Sequence, residues 1–241
     1  FIDYSIVNLS VDKMMSHTIP DAVEHGQFTH SYSQVALTNL YEGIKDNERS
    51  QVLLGVTGSG KTIVYFERIK DVLNKGNQVL LMLPEIFLTN EFKSRFSDFF
   101  GFEPAIWHSK ITPKNKRIIW KGIISNRIKL VVGARSSLLL PFKNLGVIIV
   151  DEEHDTSYKQ DEGVIYHARD MAIARALFEK IPIHLVSSIP SLETFNNIQN
   201  KKFRHFKINN RYNDYPLPKT KIVNLNLRKI KDSYVSKESI E

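Results

Sequence analysis

The residues from Gly55 to Thr62, GVTGSGKT, constrain this chain more than any other stretch, because they fit the pattern G-x-x-x-x-G-K-[ST] at each fixed position. Such a loop works only between a buried strand and a helix. Gly58 and Gly60 carry no Cβ, so the backbone can approach phosphate oxygens closely. Successive N–H groups, and the N-terminus of the following helix, then point at negative charge. Lys61 supplies a point charge for the β- and γ-phosphates, and the Thr62 hydroxyl a ligand for Mg²⁺. The nucleotide-binding set expected from the loop is Gly55, Thr57, Gly58, Ser59, Gly60, Lys61 and Thr62. The pattern arises by chance roughly once in a hundred chains of this length. Its flanks agree with it: Val52, Leu53 and Leu54 form an apolar run before the loop, and Ile63 to Leu73 carries apolar residues at helical spacing after it.

A second string begins 96 positions later. Asp151 to His154 (DEEH) closes the apolar run Val147-Ile148-Ile149-Val150, which reads as a buried strand. Asp151 therefore sits at a strand's carboxyl end, where open α/β sheets bind ligands. Alone, the string is an acidic turn after a core strand. With the phosphate cradle upstream, Asp151 becomes the expected Mg²⁺ ligand and Glu152 the group that orients or deprotonates an attacking water. Lys61, Asp151 and Glu152 form the expected catalytic set.

The rest of the chain alternates in the same way. Strands are expected at Gln78 to Leu83, Pro104 to Trp107, Arg127 to Val132, Val147 to Val150, Ile183 to Ser187 and near His205 to Ile208. Helices are expected at Thr89 to Phe100, His167 to Glu179 and Ser191 to Asn200. Another opens at Thr112-Pro113, an N-cap followed by proline at the first helical position, and runs to about Ser125. Short apolar strands between amphipathic helices predict an α/β fold of the P-loop NTPase kind, a parallel sheet sandwiched by helices.

At 241 residues the chain is long enough for one good core. Three segments are expected: residues 1–30, which show no clear period; a nucleotide-binding domain over 31–209; and a basic linker or tail over 210–241. There is no Cys, which removes disulfides, thiol nucleophiles and thiolate zinc sites, and no zinc is expected. His17, His25 and His30 lack metal-ligand spacing and read as surface or packing residues. No run approaches 18 apolar residues, so no membrane contact is expected and the chain reads as cytoplasmic. Residues 1–200 balance 22 Lys/Arg against 22 Asp/Glu, whereas residues 201–241 hold 11 against 4. A second basic stretch, Lys110 to Lys129, contains no acid. By charge alone it is either a solvated face or a nucleic-acid surface.

Taken together, several strings resemble the DEAH-type helicases of superfamily 2, and most closely their replication-restart branch. They are Gly55 to Thr62, Pro84-Glu85-Ile86, His108-Ser109, Gly133 to Ser137, VDEEHDTSYKQDEG with Tyr166 to Asp170, and Ser187 to Thr194. The resemblance covers about Ser33 to Leu225. It implies a RecA-like first motor lobe that uses ATP and Mg²⁺. It also implies single-stranded and forked DNA as partners, primosome proteins as associates, and ATP-driven translocation and unwinding as the work of the whole enzyme.

By the same resemblance Gln34 reads the adenine edge, and His154 and Ser187 link hydrolysis to the nucleic-acid track. Tyr158, Lys159, Tyr166 and Arg169 match an aromatic-rich loop that binds single-stranded DNA without reading sequence. Arg135 and Ser136 match a motif that grips strand phosphates.

Two departures accompany the match. The family's Ser-Ala-Thr-Pro-Ser reads Ser187-Ser188-Ile189-Pro190-Ser191 here, so a hydroxyl that helps transmit the nucleotide state is replaced by an apolar side chain. The resemblance also implies a second lobe with an arginine finger, a cysteine-rich zinc module and N-terminal DNA-binding domains, and none is recognisable in this sequence. Because an arginine finger contributes about 10³–10⁵ in rate, this chain alone is expected to bind nucleotide and hydrolyse it feebly. The competing expectation is a remnant that binds ATP and DNA without turnover. An ordinary P-loop kinase or transport ATPase is disfavoured, because the Asp151 to Gln160 and Pro190 to Thr194 strings have no role in phosphorylating a small molecule.

Overall fold

The structure, a computed structural model, describes residues 50–211. Gln34, the segment 1–30 with its histidines, and nearly all of the 210–241 tail lie outside these residues. A strand β1 (Ser50–Gly55) feeds the phosphate loop and then helix α1 (Lys61–Asn74). The chain continues through β2 (Gln78–Met82), α2 (Asn90–Phe100), β3 (Ala105–Trp107), α3 (Pro113–Ile124) and β4 (Leu130–Gly133). It then forms β5 (Leu145–Asp151), a short hairpin of β6 (Lys159–Gln160) and β7 (Tyr166–His167), α4 (Ala168–Glu179), β8 (Ile183–Ser187), α5 (Leu192–Gln199) and β9 (Arg204–Ile208). Single 3₁₀ turns follow β2 and β4 and precede β6.

Seven strands make one sheet in the order β3-β4-β2-β5-β8-β1-β9, and all neighbours are parallel. Parallel strands need a crossover, and the helices supply it on both faces. The central strands are accordingly apolar at successive positions. Leu53, Val79, Leu81, Val147 and Ile149 meet α1 and the Phe-rich α2 on one face, while Val52, Leu80, Ile148 and Val150 meet α4 and the residues around α5 on the other. On the first face the ring of Phe66 packs against Phe92, Phe96, Phe99 and Phe100, with centroids 5.2–6.3 Å apart. Aromatic pairs at such spacing add to the burial of their area.

The helix boundaries follow from local chemistry. The hydroxyls of Thr89, Thr112 and Ser191 accept from the N–H groups of Phe92, Asn115 and Thr194 at the starts of α2, α3 and α5. Each replaces a partner that the first turn of a helix lacks. The strand expected over Arg127 to Val132 begins only at Leu130, because the Arg127 and Ile128 N–H groups are used up on the Gly122 carbonyl, closing α3. The hairpin β6–β7 was not expected. Its strands are two residues each, too short for any period to register.

Buried Gln78 pins the far end of the sheet. Its amide nitrogen donates to the Ile123 and Ile128 carbonyls, and its oxygen accepts from the Lys143 and Asn144 N–H groups. One side chain thus satisfies four backbone groups from two connections, which fixes β2 between β4 and β5. At the opposite rim the carboxyl ends of all seven strands lie together. The phosphate loop, Glu85, His108-Ser109, Arg135-Ser136, the acidic string and Ser187 all emerge there.

Candidate functional site

The loop after β1 turns through two left-handed residues, Gly58 (φ 78°) and Gly60 (φ 86°), which a side chain would strain. Gly55 has a different reason to be glycine. A Cβ there would lie 2.4 Å from Ser59 Oγ and 2.9 Å from Lys61 Cγ. Gly60 caps α1 without offering a side chain, and its carbonyl accepts from the Ile63 and Val64 N–H groups. Ser59 is buried and its Oγ has no hydrogen-bond partner, a polar atom held ready in the loop. Thr57 and Gly58 are exposed at the tip. Lys61 Nζ donates to the Gly55 carbonyl at 2.7 Å and the Val56 carbonyl at 3.3 Å. Burial lowers its pKa, and the charges of Glu152 and Asp151 oppose that shift.

Asp151 ends β5 opposite this loop. Burial, then the neighbouring charge of Glu152, raises its carboxyl pKa to about 6, with Tyr65, the Glu152 N–H and Lys61 pulling the other way. The Tyr65 hydroxyl donates to Asp151 Oδ2 at 2.9 Å, with the Thr62 side chain nearby. One buried phenol therefore holds the carboxylate expected to bind Mg²⁺. These residues fit that ion: a desolvated carboxylate short of positive charge and an adjacent hydroxyl are hard oxygen donors. Glu152 sits in a left-handed conformation, φ 47°, unusual for a residue with a Cβ. Its N–H donates to Asp151 Oδ1, and its carbonyl accepts from the Asp155 N–H.

The remaining residues of the string point elsewhere. His154 Nδ1 lies 2.8 Å from Ser187 Oγ, and Ser187 in turn bonds the Ile189 carbonyl and N–H. His154 and Ser187, 33 positions apart in sequence, are thus joined at the adjacent ends of β5 and β8. The Ile189 side chain projects into solvent while its backbone meets Ser187. Glu153 is fully buried. It accepts from Arg169 Nη1 (3.1 Å), the Ser191 N–H (2.8 Å) and the hydroxyls of Ser191 (3.1 Å) and Thr194 (2.9 Å). This clamp ties the turn carrying Glu152 to the start of α5. The Tyr158 hydroxyl donates to the Asp151 carbonyl at 2.7 Å, holding the same turn from the other side.

Tyr158 and Arg169 therefore require a correction. Both were expected on a strand-binding surface, but Tyr158 is wholly enclosed in the core and Arg169 is only 3% exposed. Arg169 is occupied by Glu153, Asp170 and Glu193. Both serve as internal supports of the acidic turn. Arg135 and Ser136 line a cleft of about 380 Å³ with Glu85, Ser109, Tyr158 and Gln160, and Lys159 meets Arg135 beside it. Arg135 Nη1 donates to the Lys159 carbonyl, and Ser136 Oγ accepts from Trp107 Nε1 at 3.1 Å. Tyr166 is half-buried in β7, paired with Gln160.

Sequence reasoning missed Tyr65, Glu153 and Thr194. Tyr65 carried a weak signal, a hydroxyl on the apolar stripe of α1. Glu153 carried one as well, an acid flanked by the run of acids to which it contributes no exposed charge. Among the described residues no cluster of His, Asp or Glu suits a further metal site, and no helix is long and apolar enough to cross a membrane.

A seven-stranded parallel sheet with a phosphate loop after its first strand and an Asp-Glu pair after its fifth defines the class: this is a RecA-like P-loop NTPase fold of the helicase type. Within that class the chain belongs to the family described as type III restriction enzyme, res subunit, whose profile matches residues 28–209.

The chain is similar to replication restart protein PriA. It is 50% identical to PriA of Rickettsia felis over 199 residues, which is 82% of this chain and 31% of that protein. To PriA of Bacillus subtilis it is 38% identical over 215 residues, 89% of this chain and 26% of that one. It spans about a third or less of the length of these relatives. Among solved structures, the helicase MrfA bound to DNA aligns with a TM-score of 0.54 at 16% identity. That alignment covers 83% of this chain and 29% of that one, and supports the fold.

Proposed function

We propose that residues 31–209 form the ATP-binding motor lobe of a replication-restart DNA helicase. The lobe would couple ATP hydrolysis to movement along single-stranded DNA and to unwinding at forked DNA, in the cytoplasm and with primosome proteins. The observation that carries this reading is the meeting, on one rim, of the Lys61 loop, the Asp151–Glu152 turn and the His154–Ser187 contact beside the Arg135–Ser136 cleft. The similarity to PriA supplies the kind of substrate.

In this reading the loop from Gly55 to Thr62 cradles the phosphates, and Gln34 meets the adenine. Lys61 exchanges its two carbonyl partners for phosphate oxygens, which compensate its charge better. Thr62 and Asp151, the latter held by Tyr65, would hold Mg²⁺, which when bound would supply charge neutralisation on the transferring phosphoryl group. Glu152, a quarter exposed, orients the attacking water and takes its proton. Arg135, Ser136, Lys159 and Tyr166 contact the strand. The His154–Ser187 bond carries the state of the acidic turn toward Ile189 and α5, with Glu153 keeping that turn rigid.

The test is nucleotide affinity and ATPase rate, with and without single-stranded DNA, for the chain and for Lys61→Ala and Glu152→Gln. Lys61→Ala is expected to lose nucleotide binding. Glu152→Gln is expected to keep it and to lose a small DNA-stimulated rate. A chain that binds no nucleotide refutes the proposal.

A further inference from the structure

From residue 104 to 150 the chain contains nine Lys and Arg and not one Asp or Glu. The structure gathers much of this charge on one helix. In α3, Ile118, Ile119, Gly122 and Ile123 face the core, and Lys114, Arg117, Trp120, Lys121 and Ile124 share the exposed opposite face. That face would be about 18 Å long for a helix of this length.

The arrangement opposes the helix that carries it. Lys114 and Arg117 are one turn apart, as are Arg117 and Lys121, and like charges at such spacing cost about 0.2–0.5 kcal/mol a pair. Lys114 and Lys116 stand in the first turn, where the helix dipole disfavours cations, and no acid stands there to offset them. The other charged helices behave differently. Arg68–Asp71 in α1, Arg95–Glu91 in α2 and Arg175–Glu179 in α4 are ion pairs within their own helices. The nearest acid before α3, Glu103, lines a cleft with Asn115 and Ile119 on the inner flank. No acid within α3 offsets Lys114 and Arg117, and a polyanion on the outer face would relieve their repulsion.

Two further features select the polyanion. Trp120 is 42% exposed amid the cations, and an open indole face stacks on bases that only an unpaired strand presents. The first turn of α3 also abuts the cleft already described, since Lys116 Nζ donates to the carbonyl of Ser109, which lines that cleft. We infer that the outer face of α3 is a second nucleic-acid contact. It holds a single strand running on from the cleft, with Lys110, Lys114 and Arg117 on phosphates and Trp120 on a base. The inference adds a contact to the DNA-binding reading and stands on residues outside the cleft.

The experiment measures binding of short and long oligothymidylates to the full chain across about 50–200 mM salt. The comparison is with Lys110→Gln/Lys114→Gln/Arg117→Gln, three exposed changes, and with Trp120→Phe. Single-strand binding loses about 0.7 in salt slope per phosphate contact removed. The triple variant should therefore lower the slope for the long strand by about 2 and leave the short strand unchanged. Over this range the original chain then loses about 20-fold more affinity than the variant.

The chain has two tryptophans, and the other, Trp107, is 9% exposed. The long strand should therefore quench fluorescence that Trp120→Phe abolishes. Equal slopes for chain and variant overturn the inference. So does an equal slope change on a duplex of the same length without quenching, which would mark a diffuse charge effect. Arg135→Gln keeps the two readings separable. If it leaves short-strand binding intact, the cleft reading fails, whereas the α3 result is read from the long strand alone.

Discussion

The buried carboxylate Glu153 offers the sharpest test of how this site is built. Glu153→Gln keeps the shape of the side chain and removes its charge. Arg169, 3% exposed, would lose the carboxylate that faces it across the core and keep the Ser191 hydroxyl together with Asp170 and Glu193, which lie toward solvent. The new amide nitrogen would face donors, because the four groups that Glu153 accepts from are the Arg169 guanidinium, the Ser191 N–H and two hydroxyls. With the amide nitrogen at the Oε1 position the Ser191 N–H loses its acceptor, and at the Oε2 position Arg169 Nη1 is left with Ser191 Oγ while the two hydroxyls turn to accept from the amide. Breaking one side of a buried ion pair costs about 3–5 kcal/mol. Asp170 retains part of Arg169, which places the expected loss near about 3 kcal/mol. With a urea dependence of about 2 kcal/mol per M, the unfolding midpoint should fall by about 1.5 M. Urea unfolding followed by far-ultraviolet circular dichroism measures this directly. The solvent-facing Glu193→Gln serves as the control and should shift the midpoint by less than about 0.3 M. If Glu153→Gln moves the midpoint no more than that control, the clamp is not what holds the acidic turn.

Two other perturbations follow from the same contacts. Tyr65→Phe removes the hydroxyl that donates to Asp151 but keeps the ring against Phe66. It should leave the fold intact while weakening Mg-nucleotide binding about 10-fold, roughly the worth of one hydrogen bond to a carboxylate. Isothermal titration with unchanged affinity would show that the phenol aligns nothing. His184 is buried beside Arg68, and burial first, then that charge, holds its pKa well below 6.5. The unfolded chain therefore binds a proton that the folded chain refuses. Stability is fully present above about pH 6.5 and falls by about 1.4 kcal/mol per unit below it. Asp151, raised to about 6, works in the opposite direction below pH 6, so the share due to His184 is the difference between the chain and His184→Gln in their urea midpoints at pH 7 and pH 5.

What could be read from the chain and what could not divide along a physical line. The phosphate loop and the Thr112-Pro113 helix start are short-range objects, decided by φ preferences, missing Cβ atoms and caps within a few residues, so their strings carry them whole. The apolar strands are nearly as legible, because a parallel sheet buried on both faces demands unbroken hydrophobic runs. Residues whose surroundings come from distant elements were not legible. Tyr158 and Arg169 look like ligands for DNA when only their polarity is seen. Packing turns the first inward to the Asp151 carbonyl and the second onto Glu153, because the buried polar groups of a turn that leaves a buried strand need partners from within. Tyr65 acquires its role from a carboxylate 86 positions away.

The sequence by itself determined that a phosphate-binding loop would sit between a strand and a helix, with an acid pair at the end of another buried strand, since local sterics and hydrophobic period need no partner to be expressed. Only the tertiary structure decided which acids are exposed to act and which are buried to hold. That choice depends on which strands become neighbours, and the order β5-β8-β1 is set by crossovers that no local string encodes.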